Sequence, residues 1–116
     1  MDSDKFQKLV GEALGSLPSE FAKRLSNVAV IVEDFPTQYQ LRKLGLPSWS
    51  LLFGLYEGVP QTKRGNYSAV LPDKITIFKN SILRVSRNEE EIKAQVRATV
   101  IHEIGHHFGL SDKELK

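Results

Sequence analysis

The 116-residue sequence contains no cysteine, which excludes disulfides and thiolate ligands and leaves imidazole and carboxylate as the groups able to hold a metal. No apolar run approaches the roughly 18 residues of a membrane span, and the opening Met1-Asp2-Ser3-Asp4-Lys5 is polar, so a soluble, cytoplasmic protein with no membrane partner is expected. Neither sign of charge dominates: 16 Lys and Arg face 14 Asp and Glu, a formal net charge of +2 that does not make nucleic acid a default partner. Repeats, low-complexity tracts and linkers are also missing. What remains is a chain with 41% hydrophobic residues, enough for one core but not two, and a single domain over residues 1–116 is expected.

Apolar periodicity divides the chain into elements. Phe6, Leu9, Val10, Ala13, Leu14 and Leu17 recur at helical spacing behind possible caps at Asp2 or Ser3. Pro18-Ser19-Glu20 breaks that helix, and a short turn through Phe21 and Leu25 leads to Val28-Ala29-Val30-Ile31-Val32, a β-branched run that reads as a central strand. A short helix lined by Tyr39, Leu41 and Leu44 follows, closed by Gly45. Residues 51–56 predict a second strand, and the polar, turn-rich stretch from Glu57 to Asn66 a loop or hairpin. In Lys74-Ile75-Thr76-Ile77-Phe78 polar and apolar residues alternate as in a half-buried strand. Residues 81–85 add a helical turn. Asn88 then caps the longest helix, whose first turn carries Glu89, Glu90 and Glu91. Ile92, Val96, Val100, Ile104 and Phe108 form an apolar stripe along it, with Gln95, Thr99, His102 and His106 on an adjoining face.

The chemistry is concentrated in His102-Glu103-Ile104-Gly105-His106-His107-Phe108-Gly109-Leu110-Ser111-Asp112. On a helix advancing 100° per residue, His102 and His106 lie one turn apart on one face, so both imidazoles can reach one ion. Glu103 is too far round to be a natural ligand but can reach a water held by that ion. Gly109 can adopt the left-handed conformation that ends a helix, and the turn it permits could bring Asp112 back as a third ligand. With three histidines in the chain, the whole pattern should arise by chance on the order of once in a hundred thousand such sequences, which disfavours incidental surface histidines. The pattern reads as a zinc hydrolase centre: Zn2+ on His102, His106 and Asp112, an open position for water, and Glu103 as general base. His107, near the apolar stripe, is expected to pack or hydrogen-bond in the core and not to bind metal.

The His-Glu-x-x-His-x-x-Gly-x-x-Asp pattern resembles that of metzincin-type zinc peptidases, in the variant with aspartate as last ligand. More narrowly, the chain is similar to the minimal bacterial zincin-like metallopeptidase proteins. Gly54-Leu55-Tyr56-Glu57-Gly58-Val59-Pro60 and Leu71-Pro72-Asp73-Lys74-Ile75 match two further motifs of that family, and the resemblance covers most of the chain. It implies an α+β zincin-like fold with a small mixed sheet and the metal helix near the C-terminus, and it assigns the same roles to His102, His106, Asp112 and Glu103. It also implies an extended peptide lying antiparallel to an exposed sheet edge. Residues 74–78 are a candidate for that edge, with an interior position for the same strand equally open. Larger metzincins place a methionine turn beneath the metal; here the one methionine is Met1.

The function expected is peptide-bond hydrolysis on a peptide or protein substrate. Two alternatives stand beside it: a non-catalytic module in which zinc fastens the tail to the helix, and a metal-dependent ribonuclease. Glu103, Asp112 and the lack of a basic cluster beyond Lys63-Arg64 disfavour the ribonuclease.

Overall fold

The computed structural model describes residues 1–58 and 72–109. Helix α1, Ser3–Gly15, starts where the Asp2 carboxylate accepts the Lys5 N–H at 2.8 Å, and its Phe6, Leu9, Val10 and Ala13 are buried. Pro18 precedes the four-residue α2, Ser19–Ala22, and a 3-10 turn over Lys23–Leu25 leads into β1, Val28–Glu33. A capping box closes the start of α3, Gln38–Lys43: Thr37 accepts from the Gln40 N–H while the Gln40 side chain accepts from the Thr37 N–H. Gly45 takes φ +71° just beyond it, the left-handed turn its position requires. Of the residues expected to line α3 only Leu41 is buried, whereas Tyr39 and Leu44 face solvent.

Strand β2, Gly54–Glu57, is shorter than expected, because Leu51 and Leu52 precede the ladder. After it come β3, Asp73–Phe78, then α4, Lys79–Val85, and α5, Glu89–His107. Asn88 caps α5 by accepting the Glu91 N–H at 2.9 Å. Gly109 ends the helix with φ +70°, as the motif predicts. Asp112 and most of the turn-rich stretch from Glu57 to Asn66 lie outside the described residues.

The fold is α+β, and among the described residues the sheet is mixed and three-stranded, in the order β1-β3-β2. Strand β1 runs parallel to β3, and β2 runs antiparallel to it with Tyr56 opposite Ile75. Two expectations are corrected by this order. Among the described residues the run from Val28 to Val32 is an edge strand, not the central one, and residues 74–78 form the interior strand with both sides paired, not an exposed edge. Alternation misled because it assumed one wet face for β3: Thr76 and Phe78 are as fully buried as Ile75 and Ile77. In β1 the β-branched residues suit the pleat, and only the Val28, Val30 and Val32 face packs on the core.

That core lies between the sheet and the pair α1 and α5. Ile92, Val96, Val100 and Ile104 carry the expected stripe, but Phe108 is 47% exposed. A four-residue repeat drifts about 40° per step on a helix of 3.6 residues per turn, so by Phe108 the stripe has swung roughly 160° away from Ile92.

Candidate metal centre

His102 and His106 stand on the exposed side of the last turns of α5, their ring centroids 4.2 Å apart and their planes tilted by 51°. The opposite side of the same turns is fixed by Ile104 and Gly105, which are buried, so the imidazoles project from a rigid support. Among the described residues no group of three His, Asp or Glu side chains converges, and the third expected ligand, Asp112, is outside them.

Glu103 is half-buried and reaches across to the sheet, where one carboxylate oxygen accepts the Tyr56 N–H at 2.9 Å. Ladder alternation accounts for that donor. The Phe53 carbonyl accepts from Phe78 at 2.9 Å, so Phe53, Leu55 and Glu57 turn their amides toward β3, while Gly54 and Tyr56 turn theirs outward toward α5. Between this edge and the helix lies a cavity of about 340 Å³ lined by residues 51–54 and by Gln95, Thr99, His102 and Glu103. The Gln95 amide donates to the Thr99 hydroxyl at 3.2 Å along its wall.

The close approach of α5 to β2 requires glycine at position 54. A Cβ there would lie 2.6 Å from Cγ2 of Thr99 and 3.1 Å from the Thr76 carbonyl oxygen. A second cluster flanks the histidine pair: the Tyr56 hydroxyl donates to Asp73 at 2.7 Å, and the His107 ring stacks on Tyr56 at 3.9 Å with 16° between planes. His107 Nε2 is 3.9 Å from the same Asp73 oxygen. The core placement expected for His107 is thus corrected. Its side chain is exposed, because the buried side of that turn is occupied by Ile104 and Gly105 and the ring rests on the outer face of Tyr56.

Helix periodicity identifies the histidines and Glu103 but not their sheet partners. Tyr56 and Asp73 fall inside the two upstream motif segments, 54–60 and 71–75, and the structure brings both residues to the end of α5.

Residues 25–116 match the family model described as zincin-like metallopeptidase. The chain belongs to the zincin-like metallopeptidase family. A conserved hypothetical protein from Thermus thermophilus has the same fold, with 24% identity over 93% of this chain and 94% of that one and a TM-score of 0.55. Comparison with curated proteins finds no match. In this zincin-like chain α1 precedes the matched residues, yet its Phe6, Leu9, Val10 and Ala13 share one buried cluster with α5. Among the described residues no helix is long and apolar enough to cross a membrane.

Proposed function

We propose that the chain is a zinc-dependent peptidase in which Glu103 is the general base. The observation that carries this reading is the placement of the Glu103 carboxylate: it is tied to the sheet edge by the Tyr56 N–H and lines the same cavity as His102. The donor set suits zinc, since two neighbouring imidazoles with no thiolate in the chain leave a carboxylate, Asp112, to complete three protein ligands. When bound, zinc would supply Lewis-acid polarisation of the peptide carbonyl and of a water molecule.

The remaining work falls to the protein. One Glu103 oxygen is held by Tyr56, leaving the other to take a proton from the attacking water and return it to the departing amine. The outward amide of Gly54 offers a main-chain hydrogen bond to an extended peptide laid in the cavity, an edge supplied by β2 and not by residues 74–78. Tyr56 is itself oriented by Asp73 and by His107.

A second reading draws on the same contact. Because Glu103 holds a backbone N–H, it also serves as a structural tie between α5 and β2, which suits a non-catalytic zinc-stabilised module. Metal analysis of the purified chain, followed by a diverse peptide library on the zinc-loaded protein, separates the two. Hydrolysis that Glu103→Gln lowers by about a hundredfold or more supports the peptidase. Stoichiometric zinc with no cleavage of any peptide supports the module, and failure to bind zinc removes both.

A further inference from the structure

Leu51 lines two hollows. One is the cavity beside His102 and Glu103; the other, of about 280 Å³, is walled by Phe35, Trp49, Leu41 and Arg84. Trp49 is 83% exposed and Phe35 67% exposed, so two aromatic faces stand open to water at the rim. Arg84 is the one charged side chain among the lining residues, and it has no ion-pair partner among the described residues. An aromatic hollow with a single unneutralised guanidinium matches a large apolar side chain carrying a carboxylate close by.

The strand direction says which carboxylate that is. Strand β2 runs from the Leu51 side toward Tyr56, whose N–H meets Glu103. A peptide antiparallel to β2 therefore points its C-terminal end toward Leu51 and Arg84, whereas a parallel one would bring an ammonium group there. From Tyr56 to Leu51 the chain spans at most about 17 Å when extended. A bond cleaved beside Glu103 is thus some four to six residues from the group held at Arg84.

We infer that the hollow formed by Phe35, Trp49 and Arg84 is a specificity subsite that binds the C-terminal residue of a peptide substrate, a large apolar or aromatic one with its α-carboxylate free. This inference rests on the peptidase reading and adds the substrate class: peptides with a free apolar C-terminus, cut at a set distance from it.

Trp49 is the one tryptophan in the chain, so its emission reports directly on the hollow. The test uses the full-length, zinc-loaded Glu103→Gln protein, which holds peptide without cutting it. Three decapeptides of common sequence are titrated: one ending in phenylalanine as the free acid, the same peptide as its amide, and a free acid ending in alanine. Trp49 emission should shift to the blue with the phenylalanine acid, which should bind at least about tenfold tighter than either of the others. Arg84→Gln should equalise acid and amide while keeping the preference for phenylalanine over alanine. Arg84 is exposed and Glu103→Gln keeps an acceptor for the Tyr56 N–H, so neither substitution threatens folding. Equal binding of acid and amide, unchanged Trp49 emission, or no binding overturns the subsite. Mass spectrometry of products from the wild type provides the separation from the parent reading. Binding with these preferences but no cleavage keeps the subsite and removes the peptidase, whereas cleavage unrelated to the C-terminus keeps the peptidase and removes the subsite.

Discussion

Glu103 accepts a backbone N–H and, in the peptidase we propose, also moves a proton, and substitution can separate the two. Glutamine retains an oxygen that can accept from Tyr56, so Glu103→Gln should melt close to the wild type while losing hydrolysis. Alanine leaves the part-buried Tyr56 N–H without its acceptor and should lower stability by about 1–3 kcal/mol in urea unfolding, whatever the catalytic outcome. If Gln and Ala destabilise equally, the tie between α5 and β2 contributes nothing. Thr76 poses the opposite case. Its buried hydroxyl has no hydrogen-bond partner among the described residues, so Thr76→Val should stabilise the protein by about 1 kcal/mol, read as a rise in the urea midpoint. Gly54→Ala drives a methyl into Cγ2 of Thr99 and should cost about 1–3 kcal/mol. Pairing it with Thr99→Ser, which deletes that methyl, should recover part of the loss; no recovery would place the strain at the Thr76 carbonyl instead.

The elements were unequally legible. Caps and breakers are local chemistry, so Asp2, Gly45, Asn88 and Gly109 mark their helix ends directly in the sequence. The histidine pair follows from helix geometry alone. Sheet order does not, because a run such as Val28–Val32 fits the pleat equally well at an edge or a centre. The contact of Tyr56 with Glu103 spans 47 positions, and no period within either segment encodes it. Residues 56, 73 and 103 each fall in one of the three motif segments, but nothing in those segments says that they meet. The caps can be tested at this scale: Asn88→Ala should cost about 1 kcal/mol in global stability, since it removes the acceptor for the Glu91 N–H at the start of the helix that carries the site.

For the whole molecule, the packing of α1 on α5 joins the two halves of the sequence through one buried cluster. The Arg97 guanidinium, for example, donates to the Ser16 hydroxyl across 81 positions. The helix that carries His102, Glu103 and His106 is the one that closes this core with Ile92, Val96, Val100 and Ile104. The imidazoles therefore have no independent hinge: opening the last turns of α5 means withdrawing Val100 and Ile104 from the interior. In native-state hydrogen exchange the amides of residues 100–104 should accordingly open only with global unfolding, at the same free energy as those of Ile75 and Ile77 in β3. The candidate site would thereby share the lifetime of the fold itself, so a destabilising change as remote as Phe6→Ala should speed exchange at the residue 100–104 amides by the same factor as at Ile75 and Ile77.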